Sequence, residues 1–146
     1  MLVKLKRVDT TLPLPRYQTT GAVAFDLYCR VATTIASHAV EYIPTNIIVQ
    51  IPQGFFLLLA ARSSTLKRTG LMMANGIGII DNDFCGDEDE IRLALYNTTN
   101  EPVTVARGER IGQALFLKTE LAEFEETDNF KVKSRGGFGT TGTMVD

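Results

Sequence analysis

In the run NGIGIIDNDFCG, residues 75–86, the carboxylate of Asp81 follows an apolar stretch spaced by glycines and stands two residues from a second carboxylate, Asp83. Phe84 and Gly86 close the segment. Glycines let a ligand approach the main chain closely, because no Cβ stands in the way. One short piece thus offers a backbone-lined slot, a general base and a ring for stacking. Asp81, Asp83 and Gly86 also half-match a calcium loop. That reading fails, because an EF-hand wants an oxygen ligand at Cys85 and a glutamate at Arg92.

Three further segments carry polar groups in usable patterns. ARSSTLKRTG (61–70) places Arg62, Ser63 and Ser64 before a helical turn, a combination able to grip a phosphate, although taken alone a capped turn with a surface arginine is the commoner explanation. RGERIGQALF (107–116) puts Gly108 in a turn and Gln113 on a following strand. Taken alone it reads as a hairpin before a core strand, and Arg110 and Gln113 need support from elsewhere to count as ligand groups. SRGGFGTTGT (134–143) combines Arg135, close glycines, Phe138 and the hydroxyls of Thr140 and Thr141. Successive amides in such a loop form an anion-binding nest, and the large ring of Phe138 suits a lid over a flat ligand better than an idle tail. His38, the only histidine, lies among polar neighbours and reads as a surface residue; without a second, a His-based metal cluster is excluded.

The elements that position these groups are almost all β. Leu2 to Val8 alternates apolar and basic residues, as in a strand with one solvated face. Residues 47–51, 54–61, 91–96, 103–106 and 111–118 read as further strands, separated by turn signals such as Pro52-Gln53-Gly54. Only Ser64 to Thr69 invites a helical turn. Many short strands at this spacing predict a sandwich, barrel or jelly roll. The acidic run Asp87 to Glu90 reads as a solvated loop. Residues 1–128 form the β-rich domain, and 129–146 read as its flexible glycine-rich tail.

Composition limits the function classes. The chain has 146 residues, 45% hydrophobic and 22% charged, with a net charge of -2. One domain with a real core is expected, and no global basic footprint for nucleic acid exists. Cys29 and Cys85 are too few for a disulfide framework, so a reducing, cytoplasmic setting is expected. No apolar run spans a membrane, and MLVKLKRVD lacks the pattern of a signal peptide.

Taken in order, the segments resemble the trimeric dUTPase family over essentially the whole chain. AFDLY (24–28) is similar to its first motif, ARSSTLKRTG to the second, NGIGIIDNDFCG to the third, RGERIGQALF to the fourth and RGGFGTTG to the glycine-rich fifth. The resemblance implies an all-β, jelly-roll-like distorted barrel with at most one short helix, assembled as a homotrimer with shared active sites. It implies Mg²⁺-dependent hydrolysis of dUTP to dUMP and pyrophosphate, which lowers dUTP and supplies dUMP for thymidylate synthesis.

In that frame Asp81 activates the attacking water. Asn75 and the backbones of Gly78 and Ile80 read uracil, and Phe84 packs on deoxyribose. Arg62, Ser63, Ser64 and Gln113 hold phosphates, while Arg135, Phe138, Thr140 and Thr141 close over the nucleotide from another subunit. Asp26 stands near the metal, through water. Phe84 replaces the family's usual tyrosine, Ala61 a frequent proline, the fifth motif is compact, and Asp87 to Glu90 lengthen the segment after Gly86. Alternatives on the same trimeric fold are a dCTP deaminase-type enzyme, whose strand glutamate is here Ala94, and a non-catalytic nucleotide sensor.

Overall fold

The computed structural model describes residues 1–137. Among them run eleven strands and one helix: β1 (Lys4–Arg7), β2 (Phe25–Tyr28), β3 (Thr33–Ile35), β4 (Val40–Pro44), β5 (Ile47–Gln50), β6 (Phe55–Ala61), α1 (Thr65–Thr69), β7 (Leu71–Met73), β8 (Gly78–Ile80), β9 (Arg92–Asn97), β10 (Val103–Val105) and β11 (Arg110–Lys118). They form four small antiparallel sheets, ordered β1-β5, β10-β3, β2-β11-β6-β8 and β4-β9-β7. The arrangement is the expected jelly-roll-like, all-β fold.

Alternation builds the core. On β6 Leu57 and Leu59 point inward, and on β9 Leu93 and Leu95 do the same. With Leu27, Ile35, Ile43 and Ile111 they form one continuous apolar cluster. β11 crosses this cluster so closely that a Cβ on Gly112 would stand 2.5 Å from Leu93 Cδ1. Glycine is what lets the strand pass.

Two expectations are corrected here. Ser64 occupies the N-cap of α1 but makes no side-chain capping bond; Thr65 instead is buried and its hydroxyl donates to the Ile111 carbonyl. The acidic run is a solvated loop only in part: Asp87 and Glu88 are exposed, but Glu90 is buried. Asp87 bonds Lys6 at 2.9 Å, Asp89 accepts the Gly86 N–H, and the buried Glu90 holds Arg30 by two bonds of 2.8 and 2.7 Å while accepting the Asn46 N–H. A buried carboxylate needs such partners, and Arg30 lies too far away in sequence for local pattern to announce it.

Beyond β11 the chain forms neither helix nor strand over residues 119–137, and Leu121, Phe124, Phe130 and Val132 stand exposed. Phe138, Thr140 and Thr141 lie outside the described residues. Among the described residues no helix is long and apolar enough to cross a membrane.

Candidate active site

The anionic half of the site grows out of a defect in β11. Arg110 pairs with Tyr28 and Gly112 with Leu27, so one extra residue, Ile111, is inserted between them. In a regular strand Arg110 and Gln113, three apart, would face opposite ways. The bulge turns Ile111 into the core and sets Arg110 on the face of Gln113, Asp26 and Tyr28. Asp26, opposite Gln113 in the register, therefore lies beneath a guanidinium from its neighbouring strand.

A second guanidinium arrives from β6. Arg62 follows that strand directly, and its Nε stands 2.9 Å from Asp26 Oδ1. Arg110 Nη1 stands 3.1 Å from Oδ2. The Asp26 side chain is 7% exposed, against 21% for Arg62 and 42% for Arg110. Arg62 also donates to the Arg110 carbonyl, and Gln113 donates to the Ala61 carbonyl, tying the strand ends together.

Above this pair opens a polar cavity of about 480 Å³, whose walls include Arg16, Arg62, Arg68 and Arg110 with Tyr28 and Gln18. Four guanidiniums there face the carboxylates of Asp26 and Glu109. The excess of positive charge, with forked donors, suits a phosphate chain. Ser63 is exposed and Ser64 half-buried at its edge in sequence. The five-residue α1 adds little dipole, so the arginines, not helical amides, supply the anion attraction.

Arg16, Arg68 and Tyr28 were not legible as site residues. Arg16 lies in an irregular stretch and is fixed by its carbonyl accepting the Asp26 N–H, a contact that no local pattern reveals. Cys29, next along β2, is buried, and burial pushes its thiol up to about 11, so it is chemically inert.

The carboxylate of Asp81 lies elsewhere. β8 is an edge strand, with its outer side unpaired among the described residues, so main-chain donors and acceptors of alternate residues are left for a ligand. Gly78 is buried, and a Cβ there would stand 3.0 Å from Leu59 Cδ1; this glycine serves close strand packing. Asn75 and the following Gly76, the latter at positive φ, turn the chain into the strand. Asp81 follows exposed, then a turn closed by Phe84 N–H on the Asp81 carbonyl carries the half-exposed Phe84 outward. Asp81 opens on a cavity of about 530 Å³ walled by Phe55, Phe56, Ile79, Asn82 and Leu121 among others, with no cationic side chain among the described residues.

The two halves do not meet within one chain. Ile80 pairs with Leu57 and Gly78 with Leu59, which sets Asp81 level with Phe56. Arg62 lies about six residues further along β6, roughly 20 Å away at 3.3 Å per residue. Arg135 is exposed on the arm that follows β11.

The fold and this paired geometry define a β-barrel protein with an arginine-lined cavity suited to an anionic ligand and, apart from it, a carboxylate whose cavity has no cationic side chain among the described residues. A sequence model of the dUTPase family matches residues 10–142. Over 146 residues the chain is 36% identical to the deoxyuridine 5'-triphosphate nucleotidohydrolase of Dictyoglomus turgidum, covering 96% of this chain and 97% of that one. It is 38% identical over 141 residues to the corresponding protein of Desulfitobacterium hafniense, covering 93% and 91%. Among solved structures, the dUTPase of Streptococcus mutans superposes with a TM-score of 0.75 at 28% identity, over 82% of this chain and 98% of that one. A Staphylococcus bacteriophage 80alpha dUTPase reaches 0.83 at 19% identity, over 97% and 99%, a likeness of fold. The chain belongs to the dUTPase family.

Proposed function

We propose that this protein hydrolyses dUTP to dUMP and pyrophosphate within a homotrimer, each site joining the Asp81 half of one copy to the arginine half of another. The observation that carries it is the separation of roughly 20 Å along β6, which leaves either half alone incomplete. Arg62, Ser63, Ser64 and Gln113, joined by Arg110, hold the phosphates. Asn75 and the main chain of Gly78 and Ile80 read the uracil edge, where cytosine would leave buried groups unpaired. Phe84 packs on deoxyribose and leaves little room for a 2′-hydroxyl. Asp81 orients a water and takes its proton as the bond between the α and β phosphates breaks. Arg135, Phe138, Thr140 and Thr141 close over the nucleotide from another subunit and shut out bulk water.

Mg²⁺ fits this site as an ion carried by the substrate. Among the described residues no three His, Cys, Asp or Glu side chains cluster, and both oxygens of Asp26 are engaged by guanidiniums. Mg²⁺ prefers phosphate oxygens and retains its waters; when bound it neutralises charge on the triphosphate. Deamination of dCTP lacks its carboxylate, because Ala94 is a nearly buried residue of β9 facing Tyr42.

The test is a panel of dUTP, dCTP, dTTP and UTP with pyrophosphate and ammonia both monitored. Pyrophosphate from dUTP, with little turnover of the others, is expected. No release from dUTP together with ammonia from dCTP overturns the reading.

A further inference from the structure

Asp26 is the most deeply buried charged group of the site, and nothing assigned to it so far uses that burial. Each of its carboxylate oxygens faces a different guanidinium: Oδ1 that of Arg62 at 2.9 Å, Oδ2 that of Arg110 at 3.1 Å. Those arginines come from two different strands, both to one side of β2 in the sheet. Arg62 leaves the end of β6, and Arg110 is swung over Asp26 by the β11 bulge. Without a shared anion, two guanidiniums this near would repel, and their long side chains would spread over many rotamers. Both line the cavity that takes the phosphates.

We propose that Asp26 is a positioning residue that aims Arg62 and Arg110 into the phosphate cavity, and not a holder of the metal's water shell. A hydrated divalent cation at Asp26 would have to displace at least one guanidinium and stand beside two fixed positive charges. The same two contacts that exclude the cation fix the heads of the arginines, so the anion meets donors already oriented and loses less entropy on binding. The bulge at Ile111 belongs to this device, because a regular β11 would turn Arg110 away. The inference rests on the dUTPase reading above.

Asp26→Glu tests it, since the charge is kept and the carboxylate moves by about one methylene. The readouts are calorimetric binding of inorganic pyrophosphate in EDTA and the Mg²⁺ concentration that half-saturates dUTP hydrolysis. The proposal expects metal-free pyrophosphate affinity to fall by about tenfold, with the half-saturating Mg²⁺ within about twofold of wild type, the scale of losing a well-placed charged bond. Metal-free affinity unchanged within about twofold overturns it, whatever happens to Mg²⁺. Should D26E not fold, a cycle of Asp26→Asn, Arg110→Met and the double variant decides. Residues that act through one another couple, so non-additivity of at least about threefold in pyrophosphate affinity is expected, and additivity overturns the proposal. Wild-type pyrophosphate release from dUTP is measured alongside. If the wild type is inactive the dUTPase reading fails; if it is active and the variants bind as wild type, only the role of Asp26 fails.

Discussion

Two inactive variants should restore each other when mixed. Asp81→Asn removes the proposed base while leaving β8 and its turn in place, and a lost general base costs on the order of 10²–10⁴-fold in turnover. Arg62→Gln removes one guanidinium from Asp26 and from the phosphate cavity, where Arg110 remains on the other oxygen. Each homotrimer should be nearly inactive. In a trimer assembled at random from equal amounts, a site is intact when its Asp81 comes from the Arg62→Gln copy and its arginine from the Asp81→Asn copy. Half of the copies at each of the two positions qualify, so about one quarter of sites are whole. Pyrophosphate release from dUTP should therefore rise from about 1% or less in either parent to about 25% of wild type after co-refolding. Differently tagged copies, purified in sequence, establish that mixed assemblies have formed. Activity of those assemblies no greater than the mean of the parents would refute the argument from strand register, for it would mean that Asp81 and Arg62 serve one site from the same chain.

Two further outcomes follow from the acidic and basic pairs outside the site. Glu90→Gln should lose the Arg30 Nη2 bond and the charge facing that guanidinium while retaining one acceptor for Asn46; because Arg30 is 27% exposed and water recovers part of the loss, a destabilisation of about 2–3 kcal/mol is expected in urea unfolding at fixed protein concentration, and less than about 0.5 would contradict the burial argument. Asp9 is held well below the usual carboxylate range by hydrogen bonds from Thr11 and Arg107. A depressed folded pKa gives stability that is whole above the unfolded value near 3.9 and fades as pH falls through the folded one, so the penalty of Asp9→Asn should be present at pH 7 and shrink below about pH 4. A penalty that stays constant or grows on acidification would contradict this.

What could be read from sequence was what repeats locally. β6, β9 and β11 are long enough to show apolar alternation, and their limits were found within a residue or two. β3, β7 and β8 have three residues each, below the length at which a period of two can be seen, whereas the equally short β10 was marked by the turn signals on either side of it. β4 hid for another reason: Val40 and Tyr42 face outward, 45% and 65% exposed, so its apolar residues do not mark a core face. The proposed base half could be put forward from sequence because its groups lie within one segment. The arginine half was only partly so. Arg62 stood in a motif, but Arg110 depends on a bulge, and Arg16 and Arg68 on the meeting of β2 with a loop and a helix. Glu90 shows the same limit, since its burial is decided by Arg30.

β6 explains why the two halves are kept apart. Its carboxyl end delivers Arg62 to Asp26, and its amino end backs β8, whose next residue is Asp81. The strand is paired on both sides, with β11 and with β8, so no hinge within it can bring its ends together. Were Asp81 near the arginines in one chain, it would pair with a guanidinium, as Asp26 does, and a carboxylate so held is a poor acceptor for a water's proton. A cavity with no cationic side chain among the described residues would leave Asp81 free for the role of base proposed for it. In the proposed trimer the arginines approach it across a subunit boundary with the triphosphate between them, so their charge falls on the phosphates and the base stays unpaired until substrate separates the two. Assembly then supplies proximity, and the stiffness of a doubly paired strand prevents the two halves from neutralising each other beforehand.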